Sequence, residues 1–95
     1  MIDLQAIAAA LESDLSLRKT LDDGTGVVVD LRNSRVLALN STGMFLVEQI
    51  AQGAESVEDL IAALTDTFAV DQATAQHDVQ NLIQDLWQRL AYEEG

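Results

Sequence analysis

Few residues of this chain can do chemistry, and their spacing points to binding. His77 is the only histidine and cysteine is absent, so no thiolate, Cys–His pair or disulfide is available. A zinc site needs three or four ligands, and His77 would have to find all the others among carboxylates, an unusual set. Adjacent acids at Asp22-Asp23, Glu58-Asp59 and Glu93-Glu94 fall at a turn, a helix start and the tail. Carboxylates there cap and solvate without acid–base work. Gly24 and Gly26 belong to a hairpin turn and not to a phosphate loop. What remains is a row near the C-terminus. Asp78, Leu82, Asp85 and Arg89 recur at i, i+4, i+7 and i+11, which sets an apolar residue between charges on one helical face. Such a row suits a ligand with one hydrophobic anchor and a basic neighbour. The bland alternative is a solvated face on which Arg89 merely pairs with Asp85. The expectation is a binding protein, not an enzyme, with no cofactor and no metal.

The elements that position this row must come from a single domain. The chain has 95 residues, 48% of them hydrophobic, which suffices for one core and leaves no room for a second. No apolar run reaches the roughly 18 residues of a membrane span, and residues 1–12 lack the basic start of a secretory signal. A cytoplasmic location is expected. The net charge is -11 and is uneven: residues 1–40 hold six acids and four bases, residues 41–95 ten acids and one base. That surface repels phosphate backbones and favours a basic peptide or a basic patch on a protein. Solubility alone is the competing explanation.

Leu4, Ile7, Ala8 and Leu11 predict a short amphipathic helix over Ile2 to Glu12. Leu15, Leu17 and Leu21 alternate with polar residues and predict a first strand. Asp22-Asp23-Gly24-Thr25 is a turn with Gly24 free to take positive φ. Val27, Val29 and Leu31 place apolar groups on one face of a second strand, in a run of valines that favours β structure. Arg32-Asn33-Ser34 turns the chain into a third strand over Val36 to Asn40, with Leu37 and Leu39 on one face and Val36 and Ala38 on the other. Antiparallel order 1-2-3 leaves that third strand at an edge. Asn40 or Ser41 caps a helix with the stripe Met44, Val47, Ile50 and Ala51, ending at Gly53. Ser56 opens a second helix through Leu60, Ile61, Leu64 and Phe68, ending near Val70. Asp71 caps a long last helix with the stripe Ala75, Val79, Leu82, Ile83, Leu86 and Leu90.

Several short strings, in order, resemble the PqqD-like family, the peptide-recognition domains of ribosomally made peptide pathways. Leu39-Asn40-Ser41-Thr42-Gly43 is similar to the family's Leu-Asn-x-Thr/Ser-Ala/Gly. Gly53 followed by Ser56-Val57-Glu58-Asp59-Leu60 resembles its Gly-x-x-Ser-Val-x-Glu-Ile segment. Phe68-Ala69-Val70-Asp71 resembles its Tyr-x-Val-Asp, and Asp78-Val79 with Leu82 and Leu86 its Asp-Val-x-x-Phe-Leu-x-x-Leu. The chain departs from the pattern at Leu90-Ala91, where the family often has Gly-Leu, and in its N-terminal helix.

The resemblance implies an α+β, winged-helix-like fold: a three-stranded antiparallel sheet followed by three helices, here with residues 1–13 as a helical extension and 14–95 as the recognition domain. It implies that the leader of a precursor peptide adds as a fourth strand beside the third, in a groove whose other wall is the last helix. Strand addition needs only an edge with unpaired N–H and C=O groups. The expected peptide-binding residues are Arg35, Val36, Leu37, Ala38 and Leu39 on the strand and Asp78, Leu82, Asp85 and Arg89 on the helix. The expected partner is a modifying enzyme: a radical enzyme, a cyclase or a leader protease. Two other classes stay open, a winged-helix DNA-binding regulator and a module that forms homodimers. The first is opposed by a last helix offering Arg89 against Asp78 and Asp85.

Overall fold

The computed structural model describes residues 4–14, 16–31 and 34–91. Helix α1 (Leu4–Glu12) precedes strands β1 (Ser16–Thr20), β2 (Gly26–Asp30) and β3 (Arg35–Leu39). Helices α2 (Ser41–Ala51), α3 (Val57–Thr67) and α4 (Gln72–Leu86) follow, and α4 runs on as a π-helical turn, Trp87–Ala91. This is the expected α+β order, with an N-terminal helix, a sheet and three helices. The expected contributions of Ile2, Leu15, Arg32, Asn33, Glu93 and Glu94 lie outside the described residues.

Each helix after the sheet starts where a side chain can serve an orphan backbone donor. The Asn40 Oδ1 accepts from the Gly43 N–H at 2.8 Å, the Ser56 Oγ from Asp59 at 3.1 Å and the Asp71 Oδ1 from Thr74 at 2.8 Å. Hydrogen bonds from Thr74 hold the Asp71 carboxyl below the usual carboxylate range. Gly53 closes α2 at φ 104°. Helix α3 stops at Thr67 and not at Val70, because Phe68 turns to extended backbone, where its ring meets Phe45 edge-on at 5.3 Å.

The sheet is antiparallel in the order β1-β2-β3. Its first turn is a tight one closed by glycine: the Gly24 N–H donates to the Leu21 carbonyl at 3.0 Å, with Gly24 at φ 89°. The Asp23 carboxylate accepts from both the hydroxyl and the N–H of Thr25, which lowers its pKa.

The apolar face of the first two strands lies outward. Leu17 and Leu31 are 56% and 50% exposed, whereas Val28 and Leu37 point into the core. Gly26 sets this parity. A Cβ there would lie 2.5 Å from the Met44 sulfur and 2.6 Å from the Lys19 carbonyl, so position 26 faces α2 without a side chain. Val28 follows it inward, and Val27 and Val29 turn out.

Helix α1 shares the main core: Ile7 and Leu11 are buried together with Met44, Val47 and Leu86. Arg18, inward on β1, ties α1 down. Its Nη1 donates to the Leu11 carbonyl at 2.8 Å, and its Nε donates to Glu48 on α2 at 3.0 Å. Its Nη2 lies 3.5 Å from Glu12. Among the described residues no helix is long and apolar enough to cross a membrane.

Candidate functional site

The hydrogen-bond phase of the sheet determines what the edge of β3 offers. The Leu21 N–H donates to Thr25 at 2.7 Å, so that pair is bonded and Thr20–Gly26 is not. Alternation along the registers makes Gly26–Leu39, Val28–Leu37 and Asp30–Arg35 the bonded pairs of β2 and β3. The N–H and C=O groups of Val36 and Ala38 therefore point away from the sheet. The side chains between Arg35 and Asn40 are Val36, Leu37, Ala38 and Leu39, with no charge among them.

Beside that edge lies a cavity of about 450 Å³ between the end of β3, the start of α2 and the face of α4. From β3 and its junction come Ala38, Leu39 and Asn40; from α2 come Thr42, Gly43 and Leu46; from α4 come Asp78, Asn81, Leu82 and Asp85. The junction is tight for a reason. Asn40 caps α2 through Gly43, where a Cβ would sit 3.1 Å from the Asn40 Oδ1 and 3.4 Å from Leu39. The strand can thus pass directly into the helix, which places its last residues against α4.

Of the residues expected from sequence, Ala38, Leu39, Asp78, Leu82 and Asp85 meet at this cavity. Leu37 is 3% exposed and belongs to the core, Val36 is 63% exposed on the outer face, and Arg35 is exposed where β3 begins. Arg89 is one turn beyond the cavity, with its Nε donating to Asp85 at 2.8 Å. Asn81, Thr42 and Leu46 were not expected to line the site. Asn81 had a signal, since it stands three residues after Asp78 on the same helical face. Its amide meets the His77 ring, 3.2 Å from Nδ1, and His77 is exposed. Among the described residues no group of three His, Asp or Glu side chains could hold a metal ion. The cavity sets apolar surface from Leu39, Leu46 and Leu82 beside the carboxylates of Asp78 and Asp85.

The family model for coenzyme PQQ synthesis protein D (PqqD) matches residues 25–89. No curated protein matches the chain. The fold is similar to that of TbiB1 in complex with the TbiA(beta) leader peptide, with a TM-score of 0.70 and 21% identity over 86% of this chain and 96% of that one. It is also similar to lasso peptide synthetase B1 complexed with the leader peptide, at TM-score 0.69 and 24% identity over 85% and 94% of the two chains.

Proposed function

Because this chain belongs to the PqqD family, we propose that it binds the leader segment of a ribosomally made precursor peptide and hands the precursor to a modifying enzyme. The observation that carries the reading is the edge of β3, with the outward N–H and C=O groups of Val36 and Ala38 beside the α4 cavity. A leader strand completes those hydrogen bonds as a fourth strand. Its inward side chains enter the cavity, and its outward ones extend the outer face of the sheet. The two similar solved structures each hold a leader peptide, which supports the reading.

No chemistry is assigned to the chain itself. Its contribution is to raise the concentration of precursor near the enzyme (a radical enzyme, a cyclase or a leader protease), so that modest affinity suffices. DNA binding is the weaker reading: the cavity side of α4 presents the half-buried Asp78 and Asp85, and Arg89 in the turn that follows is already paired with Asp85.

Titrating a leader peptide encoded near this gene into isotope-labelled protein tests the proposal. Amide shifts concentrated on residues 35–39 and 78–85 are expected. Binding that leaves residues 35–39 unmoved refutes the site.

A further inference from the structure

Asp78 and Asp85 both line the cavity, yet their electrostatic situations differ. Asp85 accepts a hydrogen bond from Arg89, so much of its charge is compensated at the far end of the row. Asp78 is half-buried and has neither a hydrogen bond nor an ion pair among the described residues. The other polar groups at the cavity are engaged as well: Asn40 caps α2 and takes the Thr42 hydroxyl, and Asn81 meets His77. Among the described residues no basic side chain lines the cavity. An uncompensated carboxylate that loses water when a ligand strand covers it needs a cation or strong donors from that ligand.

The spacing says where that cation sits. Leu82, with Ala38, Leu39 and Leu46, makes the apolar part of the lining. Asp78 stands one helical turn before Leu82, a rise of about 6 Å along α4. Side chains i and i+2 on one face of an added strand are about 6.8 Å apart. A ligand strand laid along α4 therefore matches both groups at once with one apolar side chain over Leu82 and a lysine or arginine two residues away. An acidic residue at that second position meets a like charge with no counterion nearby, which rejects it.

Resting on the strand-addition reading above, we infer that Asp78 is the residue that selects the ligand by charge. The preferred peptide carries an apolar residue and, two positions away, a basic one. Arg89 confines this selection to the Asp78 end by occupying Asp85.

A display selection of randomised twelve-residue peptides against the full chain tests the inference and requires no leader sequence. The expected enrichment is apolar-x-Lys/Arg or Lys/Arg-x-apolar, and Asp78→Lys should reverse the preference to Asp or Glu at the same position. For one enriched peptide, Asp78→Asn should weaken binding about fivefold, and exchanging the peptide's base for alanine should remove most of that difference, as for a partly screened ion pair. Asp66→Lys, on the exposed side of α3, is the control for net charge. Peptides that bind at β3 with no charge preference, or a preference that Asp66→Lys erodes as much as Asp78→Lys, overturn the inference and leave strand addition standing. Enriched peptides that leave β3 untouched overturn strand addition and the inference with it.

Discussion

The sheet has two edges, and they are built to opposite ends. On β1 the outward backbone groups belong to Ser16, Arg18 and Thr20, by the same alternation that frees Val36 and Ala38 on β3. Ser16 already donates its N–H to the Ser13 carbonyl at 3.0 Å. Helix α1 lies beside the strand, held by the Arg18 bond to Leu11, and Lys19 adds an exposed charge. Inward charge, a lysine and a covering helix are the devices that keep a strand edge from accepting another strand. Among the described residues the β3 edge has no lysine and no covering helix; its one charge, Arg35, stands exposed at the start of the strand, and the other end of the edge opens onto a cavity. An edge left open in a protein that covers its other edge is the side on which the proposed leader strand would dock.

The largest effect is expected on the protected side. Ile7 is 0% exposed in the core, and Ile7→Ala should cost about 2–5 kcal/mol of stability, read from chemical denaturation. If α1 were only a cover, the loss would be small and a second peptide-binding edge would appear on β1.

Proline comes next, because it deletes a single edge donor where an edge strand tolerates it. Ala38→Pro should weaken leader binding about tenfold, the worth of roughly one hydrogen bond to the ligand strand. Thr20→Pro on the other edge should leave the affinity unchanged. Calorimetric titration of both variants compares the two edges directly; equal losses would dissolve the contrast.

Arg18→Ala removes the tie between β1, α1 and α2. The side chain is partly exposed, so the expected loss is about 1–2 kcal/mol, or a melting temperature lower by about 4–8 °C for each kcal/mol. Leader affinity should not change, since no Arg18 atom reaches the cavity on the β3 side.

The smallest effect is in the pH dependence. The folded-state pKa values of Asp71, which caps the α4 wall, and Asp23, in the β1–β2 turn, are lowered by their threonine hydrogen bonds. A lowered carboxyl pKa adds stability above the ordinary value of 3.8, and that increment is lost as pH falls through the folded value. Asp71→Asn keeps a capping oxygen but no longer titrates. Thermal melts in acid should therefore fall less steeply with pH below about 4 for Asp71→Asn than for the parent chain. Asp23→Asn should flatten the same curve independently, from the other edge. Unchanged slopes would mean that these hydrogen bonds do not persist in solution.

Much of the architecture was legible in the residues. Ser56 and Asp71 announced two helix starts and the pair Asn40-Ser41 the third, Gly24 and Gly53 the turns, and the stripes Met44–Val47–Ile50 and Ala75–Val79–Ile83–Leu86 the buried faces. Part of the candidate site was legible too: the helical row brings Asp78, Leu82 and Asp85 to one cavity, and Ala38 and Leu39 join them. Arg35, Val36 and Leu37 stand apart from it because the cavity lies only at the end of β3, where Ala38 and Leu39 lead into α2, while Leu37 is spent on the core and Val36 points to the outer face. For Val36 the part left for the site is its backbone.

The sequence by itself determined whatever depends on neighbours a few residues away. Caps, turns and helical stripes belong here, as does the excess of acid, because a hydrogen bond to i+3 or a repeat of 3.6 is written locally. Only the tertiary structure decided which face of the sheet is inner. Valine alternation reads the same either way, and the choice rests on Met44 approaching Gly26 from another element. It also decided that Arg18 closes one edge, through partners on α1 and α2, and that Asn81 and Leu46 meet β3 across the cavity. Those outcomes depend on contacts between segments distant in the chain, and no local period records them.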